Sequence, residues 1–157
     1  MKIHLRRLLP GDSKLLQSWR NDPEAVAQSL SQRPVSDTEH IHWFSKVLDS
    51  NTSLVFIGEA RDSESNLPVG MCRFDKSADQ TLLVSINVDP AFRGQGLSKQ
   101  LLLTGIQAVY STWPDFTTVR AEVRQENLPS MRLFESAGFE HIDSEEGVSR
   151  YQKQLRV

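Results

Sequence analysis

Residues 88–98 combine the residue types that a protein needs to bind an anion with its backbone. The segment reads VDPAFRGQGLS, with a strand-like apolar pattern before it and an amphipathic helical pattern after it. Gly94 and Gly96 permit positive φ angles and a close approach of the backbone to a ligand. The first N–H groups of a helix have no partner within the helix and lie at the positive end of its dipole, so this turn is able to hold a phosphate. A tight strand-to-helix turn without any ligand has the same pattern.

Two common phosphate-binding motifs do not fit this segment. A P-loop places a Lys and a Ser or Thr directly after its glycines, and a dinucleotide-binding turn needs Gly-x-Gly-x-x-Gly after the first strand of its unit. Here Leu97 and Ser98 follow the glycines, and several predicted strands precede them. The residues alone therefore predict a phosphate or a pyrophosphate and leave the molecule that carries it open.

Two longer strings resemble one known family. RGQGLS resembles the acetyl-CoA motif of the GNAT acyltransferase superfamily, Gln/Arg-x-x-Gly-x-Gly/Ala, and Val88 and Pro90 match the Val-x-Pro that precedes it. Ser98 departs from this motif, because Gly or Ala is usual there. Residues 127–139, NLPSMRLFESAGF, resemble the family's Asn-x-x-Ala/Ser-x-x-Leu-Tyr-x-x-x-Gly-Phe segment, with Phe134 at the tyrosine position. On both strings the chain is identified as a member of that superfamily.

The resemblance implies that the protein binds acetyl-CoA as its co-substrate. In the family, backbone N–H groups of the first motif hold the pyrophosphate, the end of the preceding strand lies along the pantetheine and the thioester carbonyl, and the asparagine of the second string bonds the pantetheine arm. That asparagine is also typical of a loop or a helix start. The implied cofactor-binding residues are Ile86, Val88, Arg93, Gly94, Gln95, Gly96, Leu97, Ser98 and Asn127.

The family reaction is direct attack of an amine on the thioester. A base must first take a proton, because an alkylammonium group is protonated near pH 7. Glu122 is the candidate base, since it is out of phase with the apolar residues of the predicted strand 117–123. The competing interpretation is a solvated strand face on which neighbouring arginines pair with it. Phe134 cannot donate the proton that a tyrosine usually gives to the departing thiolate. Either water or another group supplies it, or the acid is dispensable because a thiolate leaves easily.

The N-terminal half carries the residues expected to bind the acceptor. Residues 18–23 and 36–43 resemble GNAT enzymes that acetylate nucleotide-linked 4-amino-sugars in pseudaminic-acid-type pathways. On that resemblance Arg20 pairs with a diphosphate, which suits its planar guanidinium. Asn21 contacts the sugar or nucleotide, and His40 lines the pocket. The simpler alternatives are that Arg20 and Asn21 merely end a helix and that His40 is an exposed helical residue.

Two other functions remain open. Ribosomal-protein N-terminal acetyltransferases carry a similar N-terminal segment, so a peptide N-terminus is an alternative acceptor to a small-molecule amine or amino-sugar nucleotide. Phe134 motivates the other alternative, a non-catalytic acyl-CoA-binding module. Ser85 and Asn87 share one face of the strand before the glycines and are candidates to orient water, or are polar residues that cap a core.

Periodicity and capping signals predict the elements that position these residues. Helices are predicted over residues 13–20, from Pro23 onward, and over 36–48, 97–110 and 129–137; strands are predicted over 3–9, 53–60, 68–75, 81–88, 117–123, 139–143 and 148–155. The helix over 36–48 should begin with a capping box of Ser36 and Glu39 and bury Ile41 and Phe44. Residues 61–67 are expected to form a hairpin loop.

These elements predict a fold as well. Strand, helix and strand over residues 81–123 require a parallel crossover, and the remaining strands read as hairpins. We expect an α/β (α+β) fold of the GNAT type, with a mixed, mostly antiparallel central sheet of about seven strands flanked by helices.

Composition limits the remaining classes. A chain of 157 residues predicts one domain over residues 1–157. The net charge of −2 argues against a nucleic-acid partner, and the lack of a long apolar run argues against a membrane, so we expect a cytoplasmic protein. The single cysteine, Cys72, is expected to pack in a strand, and no His, Cys and carboxylate cluster has metal-ligand spacing, so no metal is expected. The sequence leaves open whether the chain forms a homodimer.

Overall fold

A seven-stranded sheet with helices on both faces forms the core of the structure, a computed structural model that describes residues 1–61 and 64–155. Residues 62 and 63 of the predicted hairpin loop lie outside the described residues. The elements are β1 (Ile3–Arg7), α1 (Ser13–Arg20), α2 (Pro23–Gln28), α3 (Asp37–Leu48), β2 (Ser53–Arg61), β3 (Asn66–Lys76), β4 (Thr81–Val88), α4 (Leu97–Thr112), β5 (Thr118–Arg124), α5 (Leu128–Ser136), β6 (Glu140–Glu145) and β7 (Val148–Gln154).

Within the described residues the strands lie in the order β1-β2-β3-β4-β5-β7-β6, and only the neighbours β4 and β5 run parallel. The predicted crossover, α4, joins these two strands. This confirms the predicted mixed, mostly antiparallel sheet flanked by helices. The parallel pairing covers only residues 81–83 of β4 and 118–120 of β5. The second half of β4 therefore has no strand partner on its β5 side, and the sheet opens there.

The sheet separates two apolar layers. Leu82 of β4 belongs to a large buried cluster that includes Leu101 of α4. Met71 of β3 belongs to a second cluster with Trp19 of α1 and Phe44 of α3. Because successive side chains of a strand point to opposite faces, residues 83, 85 and 87 of β4 lie on the face that carries α1 and α3.

The predicted capping signals stand at the ends of the helices. The Ser36 hydroxyl accepts from the Glu39 N–H at 3.1 Å, and the Glu39 carboxylate accepts from the Ser36 N–H at 3.2 Å. Gly138 follows α5 with a φ of +91°, which favours glycine. Each predicted bound lies within two residues of the observed one. Shifts of this size are usual, because the last turn of a helix frays.

The predicted burial of Ile41 is wrong. Its side chain is 60% exposed, whereas His40, Phe44 and Val47 are buried on the inner face of α3. His40 occupies a core position because its Nε2 lies 2.8 Å from the carbonyl oxygen of Ser13, so its polar atom keeps a partner. Apolar periodicity alone predicts that the neighbouring Ile41 is buried instead. It does not show that a buried histidine has a hydrogen-bond partner in another helix.

Cys72 is fully buried in β3, as predicted. Burial raises the pKa of its thiol. The nearest turn of α4 carries Gly105, and a Cβ atom built at this glycine would stand 2.8 Å from the Cys72 sulfur. Gly105 therefore allows α4 to approach the sheet closely above this thiol.

Among the described residues, the helices are too short or too polar to traverse a lipid bilayer.

Candidate active site

A cleft of about 910 Å³ lies where β4 and β5 separate. One part of it is lined by the end of β4 beyond its pairing with β5, the loop that follows, the first turn of α4 and the start of α5. Residues of α1, α2, α3 and β3 line another part. After the roles that the sequence predicts for their residues, we call these parts the cofactor half and the acceptor half. The volume is in the range of pockets that enclose small ligands.

Glycines shape the cofactor half. Gly94 has a φ of +78° and Gly96 a φ of +73°, and Gly96 is the N-cap residue of α4. No side chain caps α4. In contrast, the N-cap residues of α2, α3 and α5 accept hydrogen bonds through their side chains; they are Asp22, Ser36 and Asn127. The start of α4 therefore offers backbone donors that a ligand can use.

This arrangement fits a pyrophosphate. Gly94, Gly96 and Ser98 line the cleft, and Cβ atoms built at the two glycines would meet no neighbouring atom within 4 Å. Leu97 is buried against the core and fixes the first turn of the helix. Gln95 is exposed and does not belong to the cleft lining. Backbone N–H groups in such a turn, together with the helix dipole, suit an anionic group of this size.

The end of β4 lines the cleft on both faces. Ile86 and Val88 lie on the face of α4, whereas Ser85 and Asn87 lie on the face of α1 and α3. The side-chain amide of Asn87 donates to the carbonyl oxygen of Trp19 at 2.9 Å. Asn87 thus holds α1 against the strand, while Ser85 is the other polar residue on this stretch of the face.

Glu122 lies in the cleft, on the same face of the sheet as Ser85. Arg120 of β5 is paired with Leu83 of β4, and side chains two residues apart on a strand share a face. The side chain of Glu122 is 35% exposed, and its Oε2 lies 4.0 Å from Nε of Arg150. Arg150 also contacts Asp143 at 2.9 Å, so it is only a distant partner for Glu122. The carboxylate is accessible from the cleft and can accept a proton there.

The start of α5 closes the cofactor half. The Asn127 side chain accepts from the Ser130 N–H at 3.3 Å and donates to the Ser130 hydroxyl at 3.0 Å, so it caps this helix while lining the cleft. Phe134 lines the cleft but is largely buried, and the centre of its ring lies 5.1 Å from the centre of the Phe139 ring. The Tyr151 hydroxyl donates to the Glu135 carboxylate at 3.2 Å and does not belong to the cleft lining.

Only some of the predicted acceptor-binding residues line the cleft in the structure. Arg20 and His40 line the acceptor half. Asn21 does not line it, because its amide donates to the carbonyl oxygen of Val35 at 2.9 Å and accepts from the Val35 N–H at 2.7 Å. Asn21 therefore fixes the segment between α2 and α3. The cleft brings together the other predicted residues except Gln95: Ile86, Val88, Arg93, Gly94, Gly96, Leu97, Ser98, Glu122 and Asn127.

Several residues that line the cleft were not among the predicted site residues, and Trp43 was noted only as part of the segment 36–43. Arg73 of β3, Trp43 of α3 and Gln28 of α2 line the acceptor half. The Arg73 guanidinium lies 5.5 Å from the centre of the Trp43 ring and donates to Asp75 at 2.9 Å. A cation among the apolar residues that precede and follow Arg73 is the sequence signal that marks this position.

Besides the hydrogen bond from Asn87 to Trp19, further contacts join the halves of the cleft. Trp19 donates through Nε1 to the Asp89 carboxylate at 2.7 Å. Arg93, at the start of the glycine loop, contacts Asp22 at 2.7 Å and Glu24 at 2.9 Å. The hydrogen bonds from Arg93 lower the pKa of the Asp22 carboxyl. The acceptor half is thus fastened to the loop of the cofactor half.

Among the described residues, no group of three His, Cys, Asp or Glu side chains is placed to hold a metal ion.

Comparisons with known proteins agree with this geometry. A sequence model of the acetyltransferase (GNAT) domain family matches residues 2–140. A curated relative, the [ribosomal protein bS18]-alanine N-acetyltransferase of Haemophilus ducreyi, is 38% identical over 64 residues, which cover 41% of this chain and 43% of the relative. The match thus spans less than half the length of that relative.

Solved structures share the fold over nearly the whole chain. A domain from Methanocaldococcus jannaschii has a TM-score of 0.85 at 20% identity, with 98% of each chain covered. Spermidine N-acetyltransferase from Vibrio cholerae, in complex with CoA and spermine, has a TM-score of 0.83 at 18% identity and covers 98% of this chain and 96% of its own. None of these three proteins is named for a nucleotide-linked amino-sugar, so that acceptor stays a prediction.

Proposed function

The chain belongs to the acetyltransferase (GNAT) family of N-acetyltransferases, and from this premise we propose that it moves the acetyl group of acetyl-CoA to a primary amine. One observation carries the proposal. The uncapped, glycine-built start of α4 stands at the point where β4 and β5 separate, and Glu122 faces the same cleft. This arrangement supports a proposed pyrophosphate site and an accessible carboxylate in one cleft.

In this proposal the cofactor half holds acetyl-CoA through its backbone. The N–H groups of residues 96–98 bond the pyrophosphate, and the end of β4, which has no partner on its β5 side, provides backbone groups along the pantetheine and at the thioester carbonyl. A backbone N–H there stabilises negative charge that develops on the carbonyl oxygen. Acetyl-CoA supplies an activated acyl group. Asn127 borders the pantetheine path while it caps α5.

Glu122 takes the proton that the ammonium form of the acceptor must lose, directly or through one water molecule. The freed amine nitrogen attacks the thioester carbonyl carbon, a C–N bond forms, and the C–S bond breaks. As the C–S bond breaks, the attacking nitrogen gives its surplus proton to water, and the thiolate takes a proton from water. Phe134 cannot supply it, and the Tyr151 hydroxyl is already bonded to Glu135 outside the cleft.

Three acceptor classes have separate support. The predicted nucleotide-linked amino-sugar rests on the N-terminal segment with Arg20, Asn21 and His40. A peptide N-terminus is suggested by the name of the Haemophilus ducreyi relative, and a polyamine by that of the Vibrio cholerae enzyme. All three present a primary amine, so the proposed reaction is the same.

Release of the CoA thiol from acetyl-CoA tests the proposal. The acceptor panel contains a nucleotide-linked 4-amino-sugar, an alanine-starting ribosomal peptide, spermidine and simple amines, and acetyl-CoA binding is measured by calorimetry beside it. We expect release with at least one amine. Tight binding of acetyl-CoA without release on the whole panel would favour the non-catalytic acyl-CoA-binding module. Absence of acetyl-CoA binding would contradict the assignment of the cofactor half.

A further inference from the structure

Of the arginines that line the cleft, Arg20 is the one whose positive charge is not paired with a nearby carboxylate among the described residues. Three arginines line the cleft. Arg93 is paired with Asp22 and Glu24, and Arg73 is paired with Asp75. Within residues 1–61 and 64–155, no carboxylate stands within 4.0 Å of the Arg20 guanidinium.

The Arg20 guanidinium also has unused hydrogen-bonding capacity. Its Nη2 donates to the Ser31 hydroxyl at 3.1 Å. Its Nη1 is buried and has no hydrogen-bond partner among the described residues. Burial, and to a lesser extent the positive charge of Arg73, lowers the pKa of Arg20. A buried cationic donor without a partner is costly, so an anion at this position would be bound favourably.

Arg73 adds a second guanidinium to the same wall. It lies on β3 opposite Ser85 of β4, on the face that carries α1 and α3. The Trp43 ring lies 5.5 Å from its guanidinium carbon. Both arginines line the cleft and the positive charge of Arg73 contributes to the lowered pKa of Arg20, so an anion bound near both would reduce their repulsion.

The carboxylates of the cleft are engaged elsewhere. Asp75 binds Arg73, Glu24 binds Arg93, and Glu39 accepts from the Ser36 N–H in its capping box. Glu122 faces Arg150 at 4.0 Å. None of these acidic groups neutralises Arg20, so the wall around it favours an anionic ligand and disfavours a polycation.

We propose that Arg20 and Arg73 form an anion subsite in the acceptor half, and that the acceptor is a small amine carrying a phosphate or carboxylate group. This inference rests on the proposed acetyl transfer. Guanidinium groups suit both anions, because they present paired donors to the oxygens. The buried side-chain amide oxygen of Gln28, which has no partner among the described residues, provides a hydrogen-bond acceptor for a donor group of the same molecule.

Three amines that share an aminoethyl chain test the subsite. Ethanolamine is neutral at its far end, β-alanine carries a carboxylate, and phosphoethanolamine carries a phosphate. We expect kcat/KM for one or both anionic amines to exceed that for ethanolamine at least about tenfold, as expected for one charge-assisted hydrogen bond. Spermidine should be the poorest of the four. The ratio of β-alanine to phosphoethanolamine tells which anion the subsite prefers.

Substitutions of the two arginines test whether they cause the preference for anionic amines. Arg20→Gln and Arg73→Gln should abolish the preference for the anionic amines and leave acetyl-CoA affinity unchanged. Arg7→Gln, which removes an exposed arginine of β1 outside the cleft lining, should keep it. Circular dichroism and the melting temperature check that each variant is folded. Equal use of ethanolamine, better use of spermidine, or a preference that survives in Arg20→Gln would overturn the subsite.

A binding measurement separates this inference from the proposed reaction. Inorganic pyrophosphate is titrated into protein saturated with CoA, so that the cofactor half is already filled. We expect binding that is lost in Arg20→Gln and kept in Arg7→Gln. If no amine is acetylated but this binding occurs, the transfer proposal fails and the subsite stands. If amines are acetylated without regard to their charge and pyrophosphate does not bind, the subsite fails and the transfer stands.

Discussion

The two halves of the cleft are made from different parts of the polypeptide. The cofactor half presents backbone groups, from the glycine loop, the start of α4 and the end of β4. The acceptor half presents side chains from α1, α2, α3 and β3, among them Arg20, Trp43 and Arg73. A backbone site needs only glycines and a helix start at a fixed spacing, whereas a side-chain site depends on which distant residues meet. The cofactor half therefore supports the proposed type of reaction, whereas the identity of the acceptor depends on the side chains of the acceptor half.

The contacts between the halves show that they do not act as separate units. Trp19 of the acceptor side is bonded to Asp89 and receives the amide of Asn87, and both partners belong to the end of β4 and the loop after it. Arg93 connects the same loop to α2. Mutations can therefore test whether a change in one half impairs binding in that half alone or in both.

The largest effect is expected from Gly96→Val. A β-branched residue is strained at a φ of +73°, and its side chain would project into the space for the pyrophosphate. Loss of two charge-assisted hydrogen bonds would weaken acetyl-CoA binding by about 100-fold or more, measured by calorimetry. The matched control is Gly147→Val, because Gly147 has a φ of +80° and equally open surroundings in the turn between β6 and β7. Equal acetyl-CoA affinity in the two variants would contradict the loop assignment.

Glu122→Gln is expected to lower kcat about 100-fold and to leave acetyl-CoA affinity unchanged, because it removes a base but no backbone donor. Steady-state CoA release and calorimetry measure the two quantities. Glu145→Gln serves as the control, since Glu145 is another carboxylate near Arg150, at 3.5 Å, and lies outside the cleft lining. Full activity of Glu122→Gln would show that the base is another group.

Trp19→Phe tests the joint between the halves. The change leaves an oxygen of Asp89 without its indole donor, so the free energy of unfolding should fall by about 1–3 kcal/mol in urea denaturation. We also expect KM for the amine to rise more than the dissociation constant of acetyl-CoA. Trp113→Phe changes a tryptophan remote from the cleft, with Lys76 over its ring, and should leave KM unaffected. A change in acetyl-CoA binding alone would argue that Trp19 supports only the cofactor half.

Arg93→Gln should have the smallest effect, because its ion pairs are partly exposed and contribute about 1 kcal/mol or less. Arg93 lowers the pKa of Asp22 in the folded state, so the pair stabilises above the unfolded pKa of about 3.9 and loses this contribution as pH falls through the folded pKa. Urea denaturation between pH 7 and pH 3 should show a shallower loss of stability in the variant than in the wild type. The pKa of Asp12 is lowered by Arg6 in the same direction, and this pair remains in both proteins, so the difference between the two curves reports the ion pairs that Arg93 makes with Asp22 and Glu24. Identical curves would contradict this pairing.

The contrast between the halves also explains what the sequence could predict. Strand β4, the glycine loop and the start of α4 form a continuous stretch whose local signals, Gly94, Gly96 and Leu97, are sufficient to predict the turn. The capping box of Ser36 and Glu39 is local in the same sense. Local signals therefore predicted the fold and placed most of the residues that line the cofactor half.

Predictions that depend on tertiary contacts were less complete. His40 takes the core position predicted for Ile41 because the carbonyl of Ser13 approaches it from another helix. The side chain of Asn21 is used by the backbone of Val35. Arg73 reaches the cleft only because β3 and β4 are paired with Arg73 opposite Ser85. The roles of Glu122 and Arg20 in binding or chemistry stay predictions.

The packing of α4 over Cys72 has a practical consequence for enzymology. Reagents that detect free CoA react with thiolates, and the chain contains a single sulfhydryl. Cys72 is fully buried under Gly105, and burial raises the pKa of its thiol. The native protein should therefore react very little with such a reagent and add almost no background signal. A thiol signal that grows before any acetyl-CoA is added would then report unfolding. The same assay that follows turnover thus contains a built-in measure of how much protein remains native.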